Sequence, residues 1–172
     1  MVTDTIIWKG DEVENAWVET SSYNSLEPVC QVSGFCFNDE GKVLLLKESG
    51  RDFWMLPGGT PEKGESFEEA LVRELDEEAS CIIGEPVLIG AVKVCYPNNP
   101  DEKQGENFFQ LRFVAEVNKV NELTEDPDRG TKHERIFVSP EDFVKYVSWK
   151  KTGEVMIKVA GEVLKRLGGE RE

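Results

Sequence analysis

A single histidine and only 20 lysines and arginines stand against 34 acidic residues in this 172-residue chain. Long apolar runs are missing too, and each shortage excludes something. A membrane-spanning helix needs roughly 18 consecutive apolar residues, and the sequence contains no such stretch. Met1-Val2-Thr3-Asp4 lacks the basic-then-apolar start of a secretory signal, so the expected location is cytoplasmic. The four cysteines, Cys30, Cys36, Cys81 and Cys95, form no C-x-x-C pair, which argues for reduced thiols rather than a zinc site or a disulfide framework. The net charge of −14 argues against long nucleic acid as a partner, because that affinity comes from neutralising phosphates with Lys and Arg. A small phosphate-bearing substrate would meet the same repulsion, and a bound metal cation is the obvious way to offset it.

What is present suffices for a core: 39% of residues are hydrophobic against 31% charged, with no repeat or low-complexity tract. One domain over residues 1–172 is expected, residues 1–25 being an N-terminal extension or first strand and 148–172 a C-terminal helix. Trp17–Tyr23 is a short β-prone run. Val29–Phe37 and Lys42–Leu46 flank the turn signal Asn38-Asp39-Glu40-Gly41 and read as a hairpin. Val87–Tyr96 and Asn107–Val117 read as strands around the polar loop Pro97–Glu106, and Ile136–Val138 as a short strand. Ser139 is placed to cap a helix with Pro140 in its first turn. Met156–Leu167 has helical periodicity and stops before Gly168-Gly169. Helices and strands mix without regular βαβ alternation, so the expected fold class is α/β (α+β), an α/β/α sandwich with a mixed central sheet. The apolar run Ile6-Ile7-Trp8 is a candidate contact across a homodimer.

The informative segment is a helix expected over Phe67–Ala79. Ser66 is a good N-cap and Glu69, three residues on, completes a capping box. At about 100° per residue, Phe67, Ala70, Leu71, Glu74, Glu77 and Glu78 share one stripe, the spacing normally reserved for an inward apolar face. Val72, Leu75 and Ala79 form a second apolar flank, which leaves Glu69, Arg73, Asp76 and Ser80 for solvent. The inward stripe thus begins apolar and turns into three carboxylates at the negative end of the helix dipole. Like charges there oppose one another, and a hard cation such as Mg²⁺ or Mn²⁺, which prefers oxygen ligands, resolves the conflict.

Gly59 to Cys81 resembles the Nudix box, G-x5-E-x7-R-E-U-x-E-E-x-G-U with U a bulky apolar residue. Gly59, Glu65, Arg73, Glu74, Leu75, Glu77 and Glu78 match at the required spacing, and Leu56-Pro57-Gly58-Gly59 resembles the usual lead-in. Ser80 replaces the second glycine and Cys81 the last apolar position. Glycine at position 80 would permit a left-handed helix ending, so Ser80 is expected to force another exit. The resemblance implies a Nudix fold and a metal-dependent hydrolase of a nucleoside diphosphate linked to another moiety. Its substrate would be a nucleoside triphosphate, an oxidised nucleotide or a nucleotide sugar. It implies Glu74, Glu77 and Glu78 as ligands of Mg²⁺ or Mn²⁺, with a Gly58 or Gly59 carbonyl as a further candidate. Arg73 and Glu65 would form a structural pair, with Gly59 fixed beside them. The proton of the attacking water would pass to a helix carboxylate, Glu74 or Glu77, or to Glu134. A degenerate box would instead suggest a Nudix-fold module that binds nucleotide without cleaving it, yet all three carboxylates remain.

Outside the box the signals are weaker. Glu116 is a candidate additional ligand or substrate contact, with a solvated strand-end glutamate as the competing reading. His133 reads as a surface imidazole. Tyr96-Pro97 lies where some relatives set substrate choice, and Tyr96 is a candidate contact. Phe35, Phe53 and Trp54 sit near the box lead-in; at least two of the three are expected in the core, and Phe53 and Trp54 are candidates to stack on a base.

Overall fold

The computed structural model describes residues 1–8, 10–96, 107–127 and 130–169. Twelve elements follow one another among them: β1 (Val2–Trp8), β2 (Asp11–Glu19), β3 (Val29–Phe37), β4 (Val43–Glu48), β5 (Gly58–Gly59), α1 (Phe67–Ala79), β6 (Cys81–Ile83), β7 (Val87–Cys95), β8 (Asn107–Val120), β9 (His133–Val138), α2 (Phe143–Tyr146) and α3 (Lys151–Gly169). The sheet runs β1-β2-β7-β8-β3-β4-β9, with β5 added to β3 and β6 to β8. The β3–β8 pairing is parallel and every other one antiparallel. This is the mixed sheet expected from the sequence.

Strand alternation sends side chains to two faces, and each face buries its own core. On one, Val32, Leu44, Leu46, Leu111 and Phe113 meet Ala70, Leu71, Leu75 and Ala79 of α1. On the other, Phe35, Val43, Leu45, Val92 and Val114 meet Phe143 of α2 and Met156, Ala160 and Val163 of α3. The layers are therefore helix, sheet, helix. In the β3–β4 hairpin Asn38 Oδ1 accepts from the Glu40 and Lys42 N–H groups, and Gly41 takes a φ of +72°.

Four expectations change at the chain's ends. Residues 1–25 hold two strands, Val2–Trp8 and Asp11–Glu19, and the β-prone run Trp17–Tyr23 supplies only the last three residues of β2 before Thr20 folds into a turn with Ser22. Ile6 and Trp8 pack into the chain's own core, leaving only Ile7, 69% exposed, of the apolar run. Ser139 caps no helix. Its carbonyl accepts the Asp142 N–H in a turn, and α2 begins at Phe143. Finally α3 starts five residues before Met156 and continues through Gly168. Its first turn is held from far away in sequence, where the buried Asp4 of β1 accepts the Lys150 and Thr152 N–H groups at 3.1 and 2.8 Å and the Thr152 hydroxyl at 2.8 Å.

Burial pushes the Asp4 carboxyl up, but the hydrogen bonds from Thr152, Lys151 and Lys150 outweigh it and hold the group below its ordinary 3.8. A lowered carboxylate adds stability that is complete above the ordinary value and is lost as pH falls through the folded one. Asp4→Ala is expected to cost about 1–3 kcal/mol in urea unfolding at neutral pH, the scale of a lost cap with stranded donors. The gap from the unsubstituted protein narrows as pH drops below the carboxylate range.

Candidate active site

The box begins where β5 lies against β3, where Gly58 has no room for a side chain and one on Gly59 would displace the Glu74 carboxylate. A Cβ on Gly58, whose φ is +147°, would fall 2.1 Å from the Val32 carbonyl oxygen; one on Gly59 would fall 2.1 Å from Glu74 Oε1. The Glu74 carboxylate therefore occupies the space that Gly59 leaves open. The capping box sets the phase of α1: Ser66 Oγ accepts the Glu69 N–H at 3.1 Å, and Glu69 Oε2 accepts the Ser66 N–H at 2.8 Å.

The stripe differs from the expected one. Ala70, Leu71, Leu75 and Ala79 are fully buried, but Val72 is 42% exposed, so it forms no second apolar flank. Arg73 and Ser80, expected in solvent, are drawn inward. Arg73 Nε and Nη2 donate to both oxygens of Glu65 at 2.9 and 3.1 Å, Nη2 also reaches the Thr60 carbonyl at 3.2 Å, and Nη1 donates to Glu74 and Glu77 at 3.0 Å each. The hydrogen bonds from Arg73 hold the Glu65 carboxyl below its ordinary 4.5, and Glu65 in turn raises the guanidinium further. Two of the three helix carboxylates thus share a cation within the protein.

The third turns the other way. Glu78 is 5% exposed; its Oε2 accepts the Gly58 N–H at 3.3 Å, and its Oε1 lies 3.8 Å from His133 Nε2. Glu78, Asp126 and His133 are all buried, with ligand atoms within 4.8 Å of one another. His133 is therefore not a surface imidazole. On β9 it points to the α1 face with Arg135, while Glu134 points away, 62% exposed in its side chain and 2.9 Å from Lys47. The structure does not bring Glu134 to the helix carboxylates. Period-two alternation across His133 to Val138 was the signal that could have separated the two. Asp126 carried no sequence signal; a tight loop places it, with its N–H on the Thr131 carbonyl and its carbonyl on the Gly130 N–H.

Ser80 does not redirect the chain. It adopts the left-handed conformation itself (φ 50°, ψ 42°) and donates its N–H to the Asp76 carbonyl. The strain, roughly 1–2 kcal/mol for a residue with a Cβ, is opposed by the hydrogen bonds of its buried hydroxyl, which lies 3.3 Å from Thr124 Oγ1 and accepts the Thr124 N–H. The cation missing from the last turn of α1 comes from β9: Arg135 donates to the Ala79 carbonyl and, at 3.0 Å, to that of Asn121.

Beside the box, on the α3 face of the sheet, opens a cavity of about 360 Å³ bounded by Gly58, Gly59 and Glu78 at one end and by Phe53, Trp54 and Tyr96 among its walls. Of the three aromatic residues by the lead-in, Phe35 alone is wholly core, at 0% exposure. Glu116 is not part of this wall: it lies four residues past Arg112 along β8, opposite Phe37, where its carbonyl accepts the Gly84 N–H. Pro97 and the loop through Glu106 lie outside the described residues. The four cysteines are free thiols.

The comparisons agree with this geometry. The NUDIX domain family model matches residues 28–158, and the chain belongs to the Nudix family. It is similar to an ADP-ribose pyrophosphatase of Methanocaldococcus jannaschii, 34% identical over 95 residues that cover 54% of this chain and 53% of that one. It is also similar to an RNA pyrophosphohydrolase of Halorhodospira halophila, 39% identical over 94 residues covering 48% and 52%. The chain spans about half the length of these curated relatives. Among solved structures, a Bacillus subtilis pyrophosphohydrolase superposes with a TM-score of 0.64 at 19% identity, covering 91% of this chain and 93% of the other. A UDP-X diphosphatase superposes at 0.59 and 21% identity, covering 84% and 66%. These likenesses share the fold.

Because the Glu65 carboxyl is lowered by its partner, the stability this pair supplies is complete above the ordinary 4.5 and is lost as pH falls through the lowered value. Glu65→Gln is expected to lose about 1–2 kcal/mol in urea unfolding at pH 7, and the two proteins converge in acid. An unchanged midpoint at pH 7 would remove Arg73–Glu65 from the forces that hold the box.

Proposed function

We propose that this chain, as one catalytic domain, is a metal-dependent pyrophosphohydrolase that cleaves a nucleoside diphosphate linked to another moiety by water attack on phosphorus. The observation that carries the reading is the joining of two features: helix carboxylates gathered around the Gly58-Gly59 backbone, and a nucleoside-sized cavity that opens from the same glycines. The relatives' names, with ADP-ribose, RNA and 8-oxo-dGDP as their objects, support attack on an anhydride in a nucleotide. The net charge of −14 favours a small nucleotide over a long RNA.

Glu74, Glu77 and Glu78 would hold Mg²⁺ or Mn²⁺. The fit rests on oxygen donors in number, on the Gly59 cradle that leaves Glu74 its place, and on the buried Asp126 and His133 donors beside Glu78. When bound, the metal supplies charge neutralisation of the diphosphate and acidification of an attacking water. Arg73 keeps Glu74 and Glu77 oriented while Glu65 anchors it to the loop. Glu77, the more exposed of the two at 25% against 13%, would receive the proton of the attacking water in preference to Glu134, whose side chain pairs with Lys47.

In a panel of nucleoside triphosphates, ADP-ribose, nucleotide sugars and oxidised nucleotides with Mg²⁺ or Mn²⁺, the purified protein is expected to release phosphate or a nucleoside monophosphate. Chelation should abolish the release, and Glu77→Gln should lower kcat on the order of 10²-fold or more. Turnover at the original rate in that variant would sink the assignment of Glu77. Nucleotide binding with no cleavage of any substrate would sink the hydrolase itself.

A further inference from the structure

Among the described residues the most deeply buried cation is Arg112, far from the helix carboxylates in sequence. Arg112 lies in the middle of the sheet, between Ser33 and Gly90 in register, and is 1% exposed. Its Nη1 donates to the Leu111 carbonyl at 3.2 Å and reaches Ser33 Oγ at 3.5 Å, its Nη2 donates to Gln110 Oε1 at 2.9 Å, and its guanidinium carbon sits 5.4 Å from the Trp149 ring centre. Every one of these partners is neutral. Among the described residues no carboxylate pairs with it, and Nε makes no hydrogen bond. The two carboxylates that line the same cavity are engaged elsewhere, Glu48 with Arg51 and Glu78 with the Gly58 N–H. Burial lowers the guanidinium only to about 10, so it stays cationic at neutral pH. An uncompensated buried charge is costly, and a chain with 34 acidic residues had ample means of pairing it.

Arg112 lines the cavity, and so do Ser33, Gln110 and Trp149. Gly58, Gly59 and Glu78 of the box line one part of it, on the side where phosphates would lie; aromatic rings and this polar floor make up the rest. Gln110 spends its carbonyl oxygen on Arg112, so its remaining amide is a donor. The Arg112 guanidinium and the free end of Gln110 therefore present donors, and the Ser33 hydroxyl beside them can donate or accept. Guanine offers two adjacent acceptors, O6 and N7, on its major-groove edge, a match for a guanidinium fork; adenine puts an amino donor beside N7.

We propose that Arg112, with Gln110 beside it, reads the nucleobase in this cavity and selects a guanine-type edge over adenine. The inference rests on the nucleotide reading of the cavity, and its test uses nucleoside monophosphates, which hold no anhydride to cleave. Isothermal titration should give GMP an affinity on the order of tenfold above AMP. IMP, which keeps O6 and N7, should bind like GMP, and 7-deaza-GMP like AMP. Arg112→Met should bring GMP down to the AMP level, leave AMP within about twofold and leave Tm unchanged or higher, since it removes an unpaired buried charge. A merely structural arginine would do the reverse, with a lowered Tm and an intact GMP preference. Equal affinities in the unsubstituted protein, or no binding of either nucleotide, would overturn the proposal, as would a preference that survives the substitution. Should Arg112→Met fail to fold, Arg112→Lys, which keeps the charge without the fork, and the deaza analogue decide the matter. Selective GMP binding by a protein that cleaves no anhydride would leave base reading standing and count against the hydrolase alone.

Discussion

One guanidinium holds the site in shape. Arg73 grips both oxygens of Glu65, the Thr60 carbonyl, and one oxygen each of Glu74 and Glu77. Without it Glu74 and Glu77 would lose the guanidinium they share, at the negative end of a helix dipole that disfavours carboxylates. With it, the loop from β5 to α1 is tied to the helix that follows, and the carboxylates are aimed before any ligand arrives. The arrangement is preorganisation in the ordinary sense: the orienting groups are fixed during folding, so binding does not have to order them.

The second constraint is steric. Gly58 lies so close to β3 that it has no room for a methyl group, and a methyl on Gly59 would push the Glu74 carboxylate from its place. Backbone groups are thereby brought to the carboxylates, and the Gly58 N–H reaches Glu78 at 3.3 Å. Beyond that short strand, β3 leads directly to Ser33 and Arg112 on the opposite face. Two glycines join the acidic helix on one side of the sheet to the aromatic cavity on the other, and of the three helix carboxylates Glu78 reaches the cavity wall.

What was legible in the sequence was local. The capping box, the helical period and the spacing from Gly59 to Glu78 are all set within twenty residues, and they placed α1 and its carboxylates. The mixed sheet followed from strands that alternate without regular crossovers. What was not legible was made by distant contacts. Asp4 extends α3 across 148 positions of sequence, and Arg135 closes α1 from a strand 56 residues on. Both are ordinary capping interactions whose partners no local pattern reveals. A lone histidine says nothing about which face of a strand it takes, so His133 is buried where a surface imidazole is expected. The resemblance that nominates Glu134 likewise carries no strand phase, and Glu116 lies four residues along β8 from the cavity-lining Arg112. Ser80 shows a serine holding the left-handed turn that glycine usually supplies, stabilised by Thr124, 44 residues away.

Asp4 has one more consequence. The strand that carries it also carries Ile6 and Trp8, and the segment it grips, Lys150 to Thr152, follows immediately on Trp149. Ile6, Trp8 and Trp149 all face the cavity. One carboxylate is therefore a fixed joint between two walls, like the pivot of a pair of callipers. A residue outside the cavity lining thus fastens two of its walls to each other, so the bonds that steady the start of a helix also steady the shape of the hollow beside it.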